Sequence, residues 1–171
     1  MALPKKLKNM NLFNDGNSYL GVAKSVTLPT LSRKLESFRG AGMDGPVKVD
    51  LGHGDDGIQI EWTLGGWDLV ALRQFGAVSA SGVPLRWAGA VQRDDTGEVS
   101  AVEVIARGRH EEIDFGDAES GEDTEHSITT TCSYYKLSVD GNEEIEIDLL
   151  NFIFKVNGTD MLEEHRKAIG L

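Results

Sequence analysis

The sequence has one cysteine, Cys132, so no disulfide can form within a single chain. It has four histidines and four prolines, and it contains neither a CxxC nor an HExxH motif. No run of about 18 apolar residues is present, and the start of the chain has no apolar stretch of the kind that signal peptides need. These absences favour a reducing compartment, and they argue against a zinc site, a disulfide-stabilised fold and a membrane span.

Charge is unevenly distributed along the 171 residues. The net charge is -11. Residues 1–39 hold seven Lys/Arg and two Asp/Glu, whereas residues 40–171 hold ten and twenty-six. A nucleic-acid-binding surface needs a basic face, and most of this chain has the opposite sign. An acidic surface repels DNA and lets it slide without sticking, although acidity that serves solubility alone gives the same composition.

Strand patterns dominate the chain. Residues 58–64 and 144–149 alternate apolar and polar side chains, which predicts strands with one buried face. Longer strand-like runs cover residues 83–93, 99–113 and 127–139. A hairpin is expected over residues 12–19, a strand pair broken near Pro29 over 26–39, and a turn at 140–142. The sequence therefore predicts a single, mainly β domain spanning residues 1–171.

Two short helices and two loops complete the expected organisation. Residues 67–76 have apolar side chains at helical spacing, with Asp68 as the N-cap. Residues 159–171 predict a C-terminal helix capped by Thr159 or Asp160. Extended loops are expected at residues 40–46 and 114–125. The second loop is acidic and has no basic residue, so we expect it to be mobile unless a partner orders it.

Residues 94–98, Asp-Asp-Thr-Gly-Glu, could in principle gather acids for a metal ion or for proton transfer. However, they lie between two strand-like runs. Asp can hydrogen-bond its own backbone in a turn, and Gly supplies a positive φ angle there. The EF-hand spacing of calcium ligands is absent. This segment is therefore predicted to be the tip of a hairpin.

Other candidate sites receive similar interpretations. Residues 40–45 match G-x-G-x-x-G, but a proline and a strand follow where a dinucleotide site needs a helix. His53 and His110 have acidic neighbours, yet they give only weak support for a metal site. Cys132 is expected to be a packed side chain, and His126 and His165 are expected at the surface. No catalytic constellation is predicted.

Four stretches of the chain resemble the major tail tube proteins of contractile-tailed bacteriophages of the temperate coliphage type. They begin VAKSVTLPTL (22–52), GAVQRDDTGE (89–125), YYKLSVDGNE (134–148) and VNGTDMLEEH (156–171). A more distant similarity is to the tube proteins of R-type pyocins. No single motif carries the resemblance, which lies in the collinear set over essentially the whole chain.

The resemblance implies two packed antiparallel sheets (a sandwich-like tail tube fold) with a flanking α-helix and a short C-terminal helix. It implies hexameric rings stacked into a hollow inner tube, assembled in the bacterial cytoplasm, through which phage DNA enters the host. The implied partners are further copies of the chain, a tail sheath protein, a tape measure protein in the lumen, a baseplate hub and a tail terminator. It implies no enzymatic activity, metal or cofactor.

Assembly residues are expected on this basis. Glu61 and Glu103 are candidates for the lumen wall, because they lie on polar strand faces. The candidates for contacts between subunits or rings are Lys5, Lys6, Lys8, Gly40, Gly42, Met43, Asp44, Asp117, Glu119, Glu122 and Asp123. Two alternatives stay open: the tube of a phage-tail-like bacteriocin, and a metal-dependent enzyme or carbohydrate-binding module on a β-sandwich.

Overall fold

The computed structural model describes residues 1–171 and is mainly β, with 52% strand and 7% helix. It contains two antiparallel sheets and two short helices, which confirms the expected fold class. The strands are β1 Lys6–Asn14, β2 Asn17–Ser18, β3 Ala23–Thr27, β4 Arg33–Phe38, β5 Val47–His53, β6 Ile58–Leu64, β7 Val83–Gln92, β8 Val99–Asp114, β9 His126–Val139, β10 Asn142–Asp148, β11 Ile153–Val156 and β12 Thr159–Asp160. The helices are α1 Leu69–Gln74 and α2 Glu163–Ala168.

The larger sheet has ten strands and branches at β9. Along its main path the order is β12-β11-β10-β9-β8-β7-β1-β2. One edge of β9 pairs with β8 along its length. The other edge is divided, because residues 134–139 pair with β10 whereas residues 126–132 pair with β6, which in turn pairs with β3. We call β3, β6, residues 126–132 of β9 and residues 109–114 of β8 the short arm. The rest of the sheet is the long arm.

The two arms diverge where β8 and β9 are irregular. Their register shifts between Arg107 and Gly108, and again between His110 and Glu112. At the first shift the strands approach so closely that a Cβ atom on Gly108 would lie 2.1 Å from the carbonyl oxygen of Thr131. Only glycine fits there, because any Cβ atom would clash with this backbone oxygen. A bulge of this kind also bends the sheet locally.

The inward side chains of both arms meet in one core of 16 buried residues. The short arm contributes the alternating residues Ile58, Ile60, Trp62 and Leu64 of β6. From the long arm come Leu12, Val83, Leu85, Trp87, Val104, Ala106, Tyr135 and Ile147, among others. Trp62 is fully buried and contacts the rings of Tyr19 and His110. Since both arms share this core, their outward faces point away from it on different sides.

The strand predictions from alternation are confirmed over residues 58–64, 83–93, 99–113 and 127–139, within one or two residues at each end. The hairpin at residues 12–19 is also confirmed, since Phe13 pairs with Ser18 across the turn. The turn at residues 94–98 joins β7 to β8, and the Gly97 amide donates to the Arg93 carbonyl. It is a hairpin tip, as the turn chemistry predicts.

Helix α1 begins as predicted, because the Asp68 side chain accepts a hydrogen bond from the Ala71 amide. The C-terminal helix is shorter than expected. Residues Thr159 and Asp160 form strand β12 instead of capping the helix, and Leu162 occupies the N-cap without a side-chain bond. Pairing of β12 with β11 satisfies backbone groups that the helix would otherwise have used.

A buried polar network joins α1 to both arms. The His110 ring bonds the Thr130 hydroxyl at 2.9 Å and the Gln74 side chain at 3.1 Å. Thr130 in turn accepts the indole N–H of Trp62 at 3.1 Å, and Gln74 exchanges two hydrogen bonds with Asn14. Burial lowers the pKa of His110 to about 4, because its charged form loses hydration there.

We predict that this histidine makes stability fall on acidification. The unfolded chain binds a proton at His110 near pH 6.5, whereas the folded chain binds it only near pH 4. The unfolded state therefore holds more protons between these values, and stability falls by roughly 2 to 3 kcal/mol on reaching pH 4. Urea unfolding at pH 7.0 and at a pH near 4.5 measures the change in the parent and in His110→Gln. Equal losses in the two proteins would contradict the prediction.

Candidate assembly surfaces

The second sheet is the β4–β5 hairpin, which extends from the body of the protein. Cross-strand pairing places Glu36 opposite Val49 and Phe38 opposite Val47. Because side chains alternate, Phe38, Val47, Val49 and Leu51 share one face, and all four are exposed, with Phe38 at 57%. Glu36 lies on the same face, opposite Val49, whereas Leu35, Ser37, Lys48 and Asp50 lie on the other face. An isolated two-stranded hairpin is marginally stable in water, so this apolar face calls for a partner.

The loop predicted at residues 40–46 is the tip of this hairpin. Gly42 has a φ of +84°, which glycine adopts without strain. The Met43 amide donates to the Gly40 carbonyl, and the Arg39 guanidinium donates to the Met43 carbonyl. Asp44 is exposed and makes no ion pair. The four candidate contact residues Gly40, Gly42, Met43 and Asp44 therefore lie together at the most distant point of the hairpin.

The short arm has two strand edges that no other strand covers. Strand β3 pairs only with β6, so its second edge is open along Ala23–Thr27. Strand β7 pairs with β8 only as far as Gly108, so residues 109–114 of β8 also have an open edge. Open edges present unpaired N–H and C=O groups and are ready to pair with another chain.

Glu61 and Glu103 lie on different outward faces. Glu61 lies on the short arm, opposite Thr27 and Thr129. Glu103 lies on the long arm, where the Arg86 guanidinium pairs with it at 2.9 Å. The bend at Gly108 separates the two faces, and alternation along each strand, which is a local pattern, could not reveal it.

The N-terminal lysines have partners within the chain. Lys8 pairs with Asp94 at 2.9 Å, and Lys5 donates to Ser100 at 2.7 Å beside Glu98. Lys6 makes no ion pair. The acids of the β7–β8 turn thus hold the N-terminal segment against its own subunit. Contacts of these lysines with a neighbouring subunit stay a prediction.

The acidic loop, residues 114–125, is attached at both ends. The Lys24 ammonium of β3 pairs with Asp123 at 2.5 Å and also with Glu125. These carboxylates raise the pKa of Lys24, and the lysine lowers the pKa of Asp123. At the start of the loop, Phe115 packs on Trp67. The candidates Asp117, Glu119 and Glu122 are exposed between these attachments and make no ion pair.

His126 is buried, so the expected surface position is wrong. It is the first residue of β9, opposite Leu64, and its ring lies against Trp67 and Phe115. Trp67 comes from a loop far away in the sequence and Phe115 from the loop just before β9, so the polar residues next to His126 did not reveal its burial. His165 is exposed as expected.

Sequence reasoning missed the apolar face of the hairpin. Val47, Val49 and Leu51 alternate with Lys48 and Asp50, and such alternation ordinarily predicts a strand face buried in its own domain. It could not show that the face points away from the core. The exposed aromatic residue Trp67 was likewise assigned only to a helix start.

Nothing on these surfaces resembles a catalytic centre. No group of three or more His, Cys, Asp or Glu residues is placed to hold a metal ion. Burial raises the pKa of Cys132 to about 12, so its thiol is a poor nucleophile. No helix has the length and apolar character needed to cross a membrane. Open strand edges and an unpartnered apolar hairpin instead define a structural protein that assembles.

Comparison with known proteins agrees with this class. The family model of the phage tail tube protein FII matches residues 4–170, so the chain belongs to that family. It is 57% identical to the tail tube protein of Escherichia phage P2, which has a contractile tail, over 100% of both chains. It is 40% identical to the major tail tube protein of Serratia phage KSP20, over 100% of this chain and 99% of that one.

A structural relative is much more distant. A chain in the 6-fold symmetrised baseplate of the anti-feeding prophage has a TM-score of 0.47 and 9% sequence identity, covering 75% of this chain and 90% of that one. The likeness is too remote to bear on the argument. From the family membership, the chain is a structural component of a phage tail tube and not an enzyme.

We predict that Lys24 restrains the acidic loop in the free chain. In Lys24→Met, Asp123 and Glu125 lose their only cation, so the loop detaches and glutamyl endopeptidase cleaves faster after Glu119 and Glu122. Salt should accelerate cleavage of the parent in the same way, because exposed ion pairs are screened. Mass spectrometry of timed digests measures the rates. Lys34→Met, which removes a comparable exposed pair with Asp55, is the control and should leave the rates unchanged.

Proposed function

We propose that copies of this chain join edge to edge through their short arms into closed hexameric rings, which stack into a hollow tube. The observation that carries the proposal is the pair of open edges on one four-stranded arm. Each copy offers one β3 edge and one β8 edge. Every edge therefore has a partner only when a row of copies closes into a ring. Contacts of this head-to-tail kind generate rings.

Strand direction supports the same arrangement. Within the short arm, β3, β6, β9 and β8 alternate in direction, because each pair is antiparallel. Four is an even number, so the β8 edge of one copy and the β3 edge of the next also run in opposite directions. Repetition around a ring then continues one antiparallel sheet without a reversal, and a barrel closed in this way has no edges.

The short arm would form the wall of the channel with its outward face. That face is polar and lacks exposed aromatic or basic side chains along β6; its residues include Thr27, Gln59, Glu61, Thr63, Thr129 and Thr131. These hydroxyl, amide and carboxylate groups of β3, β6 and β9 offer no cation to phosphate. Arg109 of β8 also lies on this face, opposite Thr131, but its guanidinium donates to the Val78 carbonyl, so DNA would pass with little binding. In this arrangement Glu61 would face the lumen. Glu103 would lie on the opposite side of the subunit, away from the channel.

The hairpin would reach the adjacent ring. Its apolar face, Phe38, Val47, Val49 and Leu51, has no partner within the subunit, and its tip carries the candidate contact residues 40–44. Burying this face against a second copy removes four apolar side chains from water, which is the dominant favourable contribution to most protein association. The exposed acids Asp117, Glu119 and Glu122 are available for contacts between subunits or rings.

The proposed setting follows from the family. Tail tube proteins self-assemble and associate with other tail and baseplate components. We propose the specific partners to be a sheath outside the tube, a tape measure protein within it, and a hub and a terminator at its ends. Assembly would take place in the host cytoplasm. The outward face of the long arm carries three cations, Arg86, Arg107 and Lys136, and one carboxylate, Glu103, which suit a separable contact with a sheath.

The stacking role predicts that Val49→Asp prevents tube growth without unfolding the chain. The new carboxylate would lie opposite Glu36, and burying two like charges in a mainly apolar contact without a cation is costly, so polymer yield should fall at least about tenfold. Ser37→Asp introduces the same charge on the opposite face of the same hairpin and is the matched control.

Negative-stain electron microscopy and light scattering of the purified proteins, grown with and without a baseplate nucleus, measure the outcome. The parent and the control should form hollow rods of uniform width, and Val49→Asp should give rings or monomers. Rods from Val49→Asp, with loss of rods from Ser37→Asp, would reverse the assignment of the contact face. A parent that stays monomeric under every condition would contradict the proposed function itself.

The channel wall predicts different effects for charge reversal at the two carboxylates. Glu61→Lys tubes should assemble and retain double-stranded DNA within the lumen at low salt, because one ring of added cations would face the phosphates. Glu103→Lys makes the same charge change on the side of the subunit that faces away from the channel. Its tubes should therefore retain no more DNA than the parent tubes. DNA protected from nuclease in purified virions after triggered ejection measures retention. If Glu103→Lys tubes retained DNA and Glu61→Lys tubes did not, the face that carries Glu103 would line the channel and the assignment proposed here would be wrong.

A further inference from the structure

Three aromatic rings form a cluster at one end of the short arm. Trp67 and Phe115 stack with ring centroids 5.4 Å apart. The His126 ring stands perpendicular to both, at 4.5 Å from Trp67 and 5.1 Å from Phe115. Yet Trp67 is 69% exposed and Phe115 is 44% exposed. A large aromatic pair left in water beside an otherwise ordered core is typical of a docking surface.

The buried imidazole in this cluster lacks a hydrogen-bond partner. His126 is 3% exposed, and its Nε2 atom is the one buried side-chain nitrogen or oxygen in the chain without a bond. Buried polar atoms are nearly always paired, because an unpaired one loses its hydration without compensation. The exposed rings indicate that another surface covers this place, and the unpaired nitrogen calls for a polar group, such as a backbone N–H, from the same surface.

The position of the cluster indicates which residues could cover the three rings. Phe115 follows directly after residues 109–114, the open edge of β8. If that edge pairs antiparallel with β3 of a neighbouring copy, the end of β8 lies beside the start of β3. The residues just before β3 then come next to Phe115. They are Leu20, Gly21 and Val22, and Leu20 is 73% exposed while Val22 is also exposed.

The geometry points to a pocket, formed by Trp67, Phe115 and His126, that receives Leu20 and Val22 of a second copy of this chain. This inference rests on the proposed ring. It adds an apolar contact at the end of the backbone pairing, and that contact would set the register. A slip of one residue would carry Leu20 away from the rings and reverse every side chain on the new edge.

Cysteine cross-linking tests the contact. The double variant Leu20→Cys/Phe115→Cys brings two thiols together only between copies if the inference is right. Oxidation of the assembled protein should then give a ladder of covalent oligomers in denaturing gels, ending at the number of subunits in a ring. The native Cys132 is buried and does not interfere. Each single variant should give no species larger than a dimer.

A second pair provides the control. Leu20→Cys/Leu150→Cys places the second thiol at a position more exposed than Phe115, in the turn between β10 and β11 on the long arm, and it should give no ladder. Val22→Cys/Phe115→Cys repeats the test should the first variant fail to assemble. Electron microscopy of the same samples shows whether rings are present.

The outcomes separate the two proposals. Rings with a ladder from Phe115 and none from Leu150 support the pocket. Rings without that ladder, or with a ladder from Leu150 instead, overturn the pocket and leave the ring proposal intact. A parent protein that forms no rings overturns the ring proposal and the pocket with it.

Discussion

The close approach of β8 and β9 at Gly108 is the constraint on which the rest of the structure depends. A glycine opposite the Thr131 carbonyl lets two long strands bend together without separating. Because of this bend, one sheet becomes two arms that enclose a single core. Any side chain at residue 108 would have to displace backbone, and the arms could no longer direct Trp62 and Trp87 into the same interior. The buried network around His110 then fixes helix α1 to the same junction.

The fold leaves specific surfaces incomplete, and we propose that copies of the chain assemble through them. A monomer of this size could cover its strand edges or withdraw an apolar hairpin. This chain instead leaves open both edges of the short arm and extends the hairpin into solvent with four apolar side chains outward. Its net charge of -11 keeps such a monomer soluble until copies meet. In the proposed tube, assembly would therefore draw on groups that the isolated fold leaves unsatisfied.

Much of the fold could be predicted from the sequence, whereas the contact surfaces could not. Alternation over residues 58–64 gave the strand to the residue, and turn chemistry at Asp94–Gly97 excluded a metal site. The same alternation at Val47–Leu51 indicated a strand but not that its apolar face has no partner in the domain. His126 was misassigned because its burial depends on Trp67, which lies far from it in sequence, and on how the loop that carries Phe115 folds back against it. Glu61 and Glu103 had equivalent local patterns, yet the bend at Gly108 placed them on different sides.

The sequence by itself determined the class of the domain, the positions of its strands and turns, and its resemblance to tail tube proteins, because these follow from local periodicity, turn residues and collinear similarity. Only the tertiary structure decided which strand edges are open, which apolar face is exposed, and which acids share a surface. Those properties depend on pairing between residues as far as 101 positions apart, such as Lys24 with Glu125, and on the direction in which a sheet bends. Periodicity carries no information about either, because it records only what each side chain does relative to its immediate neighbours.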